Sequence, residues 1–161
     1  MAILSAPRFY LQPIGGGKVS WGFSQMSNIS VEVEPKEYLY CESDGTLTHT
    51  KQYGKTVPPT VTLEKPMDTD TTLWAWHMAV QAGIPNARKS CTLVVYPAGS
   101  PGIRPEGAPV FQWELQEAWP QKIEVSGMNA GDTQVGTLTV TFACDLIQVL
   151  TASGGTVSPS P

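Results

Sequence analysis

The stretch Val61–Ala82 constrains the fold most strongly, because it passes from the periodicity of a β-strand to that of an α-helix within one run of sequence. Val61 and Leu63 alternate with polar residues, which is the period of two expected of a half-buried strand. Pro66 lacks a backbone N–H donor and closes this strand. The stretch therefore predicts a strand over residues 60–64 and then, after an acidic turn, a helix.

The helix is predicted at about residues 70–82. Asp70 is the expected N-cap, because its short side chain can accept hydrogen bonds from the first helical amides, and Gly83 is the expected stop. One face carries side chains at the i, i+3, i+4 and i+7 positions: Leu73, Trp76, His77 and Val80. Trp74 and Met78 add a second apolar surface, so we expect a neighbouring subunit to cover them and the free monomer to leave them exposed.

Alternating apolar and polar residues predict antiparallel strands in much of the remaining chain. The clearest run is Thr137–Asp145, whose threonines face outward and whose apolar residues face inward. Two further strands are predicted at 19–24 and 29–34, and Pro35 is expected to stop the second. The first 17 residues show no repeating pattern and are predicted to form a flexible arm or turn.

The second half of the chain contains further strand signals around a proline-rich loop. Cys91–Tyr96 is apolar on both faces, as expected of a central strand. Residues 97–109 are rich in proline and glycine and predict a surface loop. Two strands, at 110–116 and 122–126, are predicted on either side of a kink at Trp119-Pro120.

Residues 38–56 form a predicted extended hairpin arm. Asp44-Gly45 is a strong turn signal at its centre. The apolar side chains of this segment make no continuous core face: Tyr38, Tyr40, Leu47 and Tyr53. Because a segment of this length inside a compact domain usually has a functional reason, we expect the arm to carry a function.

Length, composition and charge bound the class of protein. A chain of 161 residues is expected to form one domain, at 1–150, and the low-complexity tail at 151–161 is predicted to be disordered. The net charge of −4 with only 15% charged residues disfavours a nucleic-acid-reading protein. The start of the chain resembles no signal peptide and no run reaches the length of a membrane span, so we expect cytoplasmic synthesis and no membrane insertion.

Candidate reactive residues do not form a recognisable site. The three cysteines, Cys41, Cys91 and Cys144, are odd in number and far apart, which favours reduced thiols over a zinc site. His77 is interpreted as a core or interface histidine and His49 as a solvent-exposed one. We therefore predict no catalytic residue, no cofactor and no metal, and a protein that is not an enzyme.

Taken in order, several segments resemble the tail-tube proteins of contractile phage tails and the inner-tube proteins of contractile injection systems. The run VTLEKPMDTDTTLWAW is similar to the strand, acidic turn and "LWxW" helix of that family. The run FQWELQEAWPQKIEVSGMNAGDTQVGTLTVTFACDLIQV is similar to its tryptophan strand, "AWP", Asn-Ala loop and long final strand. The similarity covers about residues 9–150.

This resemblance implies a mainly β fold, an antiparallel β-sandwich or barrel with one flanking helix, assembled into hexameric rings with a continuous inner β-barrel. The rings would stack into a tube that encloses a channel for cargo protein or DNA, and the tube would meet a sheath, a baseplate and terminator proteins. Polar strand faces would line the lumen: Ser30, Glu32, Glu34, Thr137, Thr139 and Thr141. Subunit contacts would come from the helix and the arm: Trp74, Met78, Tyr38, Tyr40, Leu47 and Tyr53.

One alternative remains open from the residues alone. A monomeric β-sandwich could use exposed Trp and Tyr side chains in loops as a binding module, for example for carbohydrate. Assembly into rings would favour the tube subunit, whereas glycan binding by a monomer would favour the binding module.

Overall fold

The computed structural model describes residues 8–14, 21–97, 109–151 and 155–158. This part of the chain holds eight strands and one helix, which confirms the prediction of a mainly β, antiparallel fold with one helix. The elements are β1 (Arg8–Pro13), β2 (Trp21–Phe23), β3 (Gln25–Cys41), β4 (Leu47–Pro66), α1 (Thr72–Gln81), β5 (Lys89–Tyr96), β6 (Phe111–Ser126), β7 (Thr137–Ala143) and β8 (Leu146–Leu150).

The strands pair in the order β2-β1-β5-β6-β7-β4-β3, and β8 pairs with β6 outside this order. Strand β6 belongs to both halves: residues 111–118 pair with β5 and β8, whereas residues 119–126 pair with β7. Its backbone is irregular between the halves, where Glu117 has a φ of 52° and the register shifts after Pro120. The sheet thus divides into a first layer, β2-β1-β5-β6-β8, and a second layer, β6-β7-β4-β3.

The inner faces of the two layers share one hydrophobic core. Its buried side chains come from six strands, the helix and the residue that follows β7: Leu11, Trp21, Phe23, Val61, Leu63, Leu73, Trp76, Cys91, Leu93, Leu115, Ala118, Leu138, Val140, Phe142 and Cys144. The indole rings of Trp21 and Trp76 stack with centroids 5.5 Å apart. Each indole N–H is satisfied, by the Thr72 hydroxyl at 2.7 Å and by the Ala87 carbonyl at 2.6 Å respectively. The core thereby attaches α1 to both layers.

The start of α1 differs slightly from the prediction. The N-cap is Thr71, not Asp70, and its side chain makes no capping hydrogen bond. Asp70 lies one residue earlier and accepts hydrogen bonds from the backbone N–H and the hydroxyl of Thr72, at 3.0 and 2.7 Å. The acidic side chain therefore still satisfies an amide of the first turn, but from outside the cap position.

The end of α1 is the one predicted. Gly83 has a φ of 67°, a left-handed conformation that glycine adopts without a steric penalty. The N–H groups of Gly83 and Ile84 return to the carbonyls of Val80 and Ala79, at 3.0 and 3.2 Å. This pair of hydrogen bonds is a Schellman motif and stops the helix.

Two predictions for the first third of the chain were wrong. Residues 8–13, predicted as part of a flexible arm or turn, form β1, which pairs with both β2 and β5. Pro35 does not stop the strand after Glu34, because β3 continues to Cys41. Pro35 sits at a register shift on a strand that pairs only with β4 among the described residues, and there the missing N–H breaks no ladder hydrogen bond.

The second half of the chain also departs from the predictions. The two strands predicted around Trp119-Pro120 are one bent strand, β6, and the strand predicted over 137–145 ends at Ala143, after which β8 crosses to the first layer. Within the tail predicted to be disordered, Thr156 forms a bridge with Leu150, so the described residues 155–158 return onto β8. Most of the proline-rich loop, at 98–108, lies outside the described residues. No helix in the described ranges is long and apolar enough to cross a membrane.

Candidate assembly surfaces

The outer face of the second layer is polar, and its side chains form rows across four strands. Residues that pair directly on antiparallel strands project from the same face. One row consists of Gln25, Glu64, Thr139 and Glu124, and the next of Asn28, Thr62, Thr141 and Lys122. With Ser30, Thr60 and Thr137, these residues make up what we call the polar face.

Hydroxyl groups and paired charges dominate the polar face. The Thr62 and Thr141 hydroxyls lie 3.4 Å apart, and the Ser27 hydroxyl donates to a Glu64 carboxylate oxygen at 2.9 Å. The only lysine of this face, Lys122, is 2.6 Å from the Glu124 carboxylate. The face is therefore wettable and close to neutral, with no free cationic cluster.

The predicted lumen residues divide into two groups. Ser30, Thr137, Thr139 and Thr141 lie together on the polar face. Glu32 and Glu34 are exposed but lie further along β3, beyond the last strand pair that β4 makes with β7. Sequence reasoning missed Thr62, Glu64, Lys122 and Glu124, because only the register across the strands places them in the same rows.

The second layer ends in two open edges. Among the described residues, β3 pairs only with β4, and residues 119–126 of β6 pair only with β7. The outer N–H and C=O groups of both strands are therefore available to another chain. Such long open edges are usually avoided in a monomer and indicate a subunit of an assembly.

None of the described residues forms a second layer over the end of the β3–β4 hairpin. We call residues 31–57 the distal hairpin; every residue of β3 from Val31 to Cys41 is exposed. The predicted turn at Asp44-Gly45 closes it, with Gly45 at a φ of 87° and the Asp44 carboxylate accepting from the Thr46 N–H at 2.8 Å. The ordered pairing from Pro35↔Tyr53 to Cys41↔Leu47 makes it a regular two-stranded ribbon that extends beyond the predicted arm at 38–56.

The predicted contact residues of the arm lie on opposite sides of this ribbon. Tyr38 pairs with Thr50 and Tyr40 with Thr48, and these residues form a tyrosine face. The other side, the leucine face, contains the pairs Pro35–Tyr53, Glu37–Lys51, Leu39–His49 and Cys41–Leu47. Leu39 and Leu47 are each 64% exposed and Tyr53 is 98% exposed, whereas Tyr38 and Tyr40 are 48% exposed.

Charges on the leucine face are paired with one another. The Glu37 carboxylate lies 3.2 Å from His49 Nε2 and 3.5 Å from Lys51 Nζ. All three side chains are more than half exposed, so solvent screens these ion pairs and they contribute little to stability. His49 is exposed, as the sequence indicated.

The helix surface agrees with the prediction at Met78 but not at Trp74. Met78 is 63% exposed, whereas Trp74 is partly buried against the core of its own chain, so its exposure in the monomer was wrongly predicted. The reason is that α1 packs against β6 and that Trp74 packs against the buried core of the same chain. His77 lies at this contact and donates its Nδ1–H to the Pro120 carbonyl at 2.9 Å.

Lys65 is a buried charge that sequence reasoning missed. It is only 4% exposed, and its ammonium donates to both carboxylate oxygens of Asp68, at 3.3 and 3.1 Å. Hydrogen bonds from Thr72, and to a smaller extent the charge of Lys65, hold the pKa of Asp70 below its ordinary value. A buried ammonium needs such partners, so Lys65 holds the acidic turn between β4 and α1 in place.

The cysteines differ in reactivity. Burial raises the pKa of Cys91 and of Cys144 to about 12, so both stay protonated and unreactive at neutral pH. Cys41 is an exposed free thiol on the leucine face. In the part of the chain that the structure describes, no three His, Cys, Asp or Glu side chains are grouped to hold a metal ion.

Open sheet edges, an uncovered hairpin and a neutral hydroxyl-rich face define a subunit of a protein assembly. The family described as "T4-like virus tail tube protein gp19" matches residues 5–148 of the chain. The chain therefore belongs to this family of tail tube proteins, and it is a structural subunit of a tail tube. A comparison with curated proteins finds no match.

Solved structures share this fold at low sequence identity. A chain of the anti-feeding prophage baseplate, six-fold symmetrised, has a TM-score of 0.65 and 15% identity, with 94% of this chain and 97% of that chain covered. A chain of the sheath/tube terminator of the extracellular contractile injection system PVC has a TM-score of 0.65 and 16% identity, covering 94% and 99%. A chain of the PVC sheath–tube complex has a TM-score of 0.61 and 16% identity, covering 91% and 90%.

Proposed function

We propose that six copies of the chain close into a ring, that rings stack into the inner tube of a contractile tail or injection system, and that the polar face lines its channel. The observation that carries this proposal is the second layer, a four-stranded sheet with an open edge on each side. A sheet of this kind repeats around an axis without leaving any edge unpaired.

The directions of the two edge strands suit such a closure. Neighbouring strands in the order β6-β7-β4-β3 are all antiparallel, so β6 and β3 run in opposite directions. When copies are related by rotation about a ring axis, β3 of one copy therefore meets β6 of the next in antiparallel orientation. Pro35 and Pro120 limit this pairing to residues 25–34 and 121–126, because proline offers no N–H.

The expected channel is wide enough for cargo. Six copies of a four-stranded layer give about 24 strands, and a spacing of about 4.8 Å makes the backbone circle at least about 37 Å across. Side chains narrow this by about 10 Å, which still leaves room for an α-helical protein, about 10–12 Å wide, or for nucleic acid. Because Glu124 neutralises Lys122 on the polar face, cargo phosphates would not be retained.

The proposed partners follow from this orientation. With the polar face inward, the outer face of the first layer and the exposed side of α1 around Met78 remain for a sheath. The related folds occur in chains of structures described as a baseplate, a sheath/tube terminator and a sheath–tube complex, which supports partners of these kinds. We propose that the chain is made in the cytoplasm and has no enzymatic role.

Electron microscopy of the purified chain tests the proposal. We expect negative-stain images to show six-fold rings or stacked tubes with a central hole, and their number to rise with protein concentration. A chain that stays monomeric at high concentration, even with its sheath and baseplate partners present, would contradict it.

A further inference from the structure

The edges of the first layer differ from the long open edges of the second layer. At one side of the first layer, β2 has only 3 residues and offers few backbone groups to another strand. At the other side, the outer edge of β8 is paired with residues 155–158, which follow β8 in the chain. The two layers therefore present opposite kinds of edge to other molecules.

Residues 155–158 cover the edge of β8 through backbone hydrogen bonds. Leu150 and Thr156 face each other in an antiparallel bridge. Beside this bridge, the Val157 N–H donates to the Val149 carbonyl at 3.0 Å. Because β6 pairs with the opposite edge of β8, this hydrogen bond occupies a carbonyl group that would otherwise be open to another chain.

Thr151 fixes the point at which the chain turns back. Its N–H donates to the Gly155 carbonyl at 2.6 Å, and its hydroxyl donates to the same carbonyl at 3.0 Å. In return, the Gly155 N–H donates to the Thr151 hydroxyl oxygen at 3.1 Å. These hydrogen bonds hold the returning segment in register with β8.

The returning segment contributes strand pairing and not core packing. Residues 155–158 are all exposed, and Val157 is 56% exposed. Burial of apolar surface therefore does not account for the position of the segment, whereas pairing of the edge groups does. The next residue in the sequence, Pro159, has no N–H with which to continue a strand ladder.

We propose that residues 155–158 are an edge guard, which prevents β8 from pairing with β8 of a second copy of this chain. Without the guard, two copies can pair antiparallel about a two-fold axis at Gln148, because the outward N–H and C=O groups of Ile147 then face those of Val149 in the other copy. The guard occupies the Val149 carbonyl and blocks this pairing. Such a dimer would join two first layers into one sheet and divert subunits from a ring, so the guard leaves only the second layer open for pairing between subunits.

A disulfide at the two-fold axis tests the guard. With Gln148→Cys, the two thiols of such a dimer lie on a strand pair with Cα atoms about 4.5 Å apart, which a disulfide can span. Cys41→Ser removes the exposed native thiol, and the other two cysteines are buried. This double variant is compared as the full chain and as a chain that ends at Thr151, with oxidised glutathione as the oxidant, which is reduced to two thiols for each disulfide formed. We expect the disulfide-linked dimer to form about tenfold or more faster in the shortened chain, because its β8 edge is open.

Two neighbouring proline substitutions test whether the hydrogen bond itself is the guard. Val157→Pro removes the N–H that donates to Val149, whereas Ser158→Pro removes an N–H that points away from β8 in the same extended segment. Neither substitution touches a core residue, and both keep the full length of the chain. In the full chain with Gln148→Cys and Cys41→Ser, we expect V157P to form the dimer as fast as the shortened chain does, and S158P to form it as slowly as the unmodified segment allows.

The outcomes separate this inference from the proposed function. Equal rates of disulfide formation in the full and shortened chains, or in V157P and S158P, would overturn the edge guard and leave the tube function intact. A wild-type chain that forms no rings, while the shortened chain still gives the faster disulfide, would overturn the proposed function alone.

Discussion

The same two strands, β3 and β4, form a covered stretch and a bare stretch. In the near stretch, residues 25–30 and 60–66, Val61 and Leu63 are fully buried. In the distal hairpin, the alternation continues but Leu39 and Leu47 remain 64% exposed. The difference shows that alternation defines two sides of a strand, whereas only a second layer turns one side into a core.

The largest expected effect comes from a matched pair of leucines. Leu63→Ala leaves a cavity in the near stretch and is expected to lower the free energy of unfolding of the monomer by about 2–5 kcal/mol. Leu39→Ala removes the same atoms from an exposed site and is expected to change the free energy of unfolding by less than about 0.5 kcal/mol. Urea unfolding under monomeric conditions measures both, and equal losses would show that the distal hairpin is covered within its own chain.

Two acidic residues, Asp68 near the core and Glu37 in the distal hairpin, extend the comparison of the two stretches to ion pairs. Asp68→Asn removes the main partner of buried Lys65 and is expected to lower the free energy of unfolding by about 1–2 kcal/mol. Glu37→Gln in the distal hairpin removes an exposed partner of His49 and Lys51, with an expected loss below about 0.5 kcal/mol. Thermal unfolding at low and high salt checks this, since only the Glu37 effect should disappear with salt.

Gly54 makes a backbone approach that only glycine permits. A Cβ atom at this position would overlap the carbonyl oxygen of Glu34 on the opposite strand. We expect Gly54→Ala to loosen the distal hairpin, while the free energy of unfolding of the monomer falls by no more than about 1 kcal/mol because the near stretch is untouched. Hydrogen exchange should show faster exchange in residues 35–53 alone. Gly22→Ala, where a Cβ meets the Tyr10 ring at 3.6 Å, serves as the control.

The smallest effect concerns two aspartates that bracket β4. Hydrogen bonds from Thr72 lower the pKa of Asp70, and those from Thr46 lower the pKa of Asp44, from an ordinary 3.8. Above pH 3.8, a carboxylate whose pKa is lowered by folding adds to the free energy of unfolding. This contribution is lost as the pH falls through the pKa of the folded state. Asp70→Ala is expected to lower the free energy of unfolding of the monomer by about 0.5–1 kcal/mol at pH 7 and by less at pH 2.

The Asp44 variant provides the contrast. Asp44→Ala should leave the acid unfolding of the monomer unchanged, because the turn of the distal hairpin makes no contribution to the core. Circular dichroism melts between pH 2 and pH 7 compare the two variants. If the pH dependence of the melting temperature were lost in Asp44→Ala but kept in Asp70→Ala, the stabilising carboxylate would be Asp44 and not Asp70.

Local patterns were sufficient for a large part of the fold. The inward sides of β4 and β7, the helix stop at Gly83 and the turn at Asp44-Gly45 follow from periodicity and from residue-specific backbone preferences. The helix start was displaced by one residue, because several short polar side chains compete for the cap. β1 was missed because Phe9, Tyr10 and Leu11 are consecutive apolar residues, so the segment shows no period of two.

The candidate surfaces could be predicted only in part. The threonines of β7 were found from their alternation, but Lys122, Glu124 and Glu64 join them only through the register of two strand pairs, β6–β7 and β4–β7. Tyr38 and Leu47 were both predicted as subunit contacts, and the strand pairing places them on opposite faces of the hairpin. Trp74 was expected to be exposed in the monomer, but it is partly buried against the core of its own chain.

The sequence by itself determined which residues could form strands, where the helix ends and that the chain resembles a tail tube protein, because those properties depend on neighbours along the chain. Tertiary structure decided which sides of the strands are covered, that Lys65 is buried with Asp68, and that the distal hairpin has a leucine face and a tyrosine face. These properties depend on strand register and on the bend in β6, which bring together residues far apart in sequence.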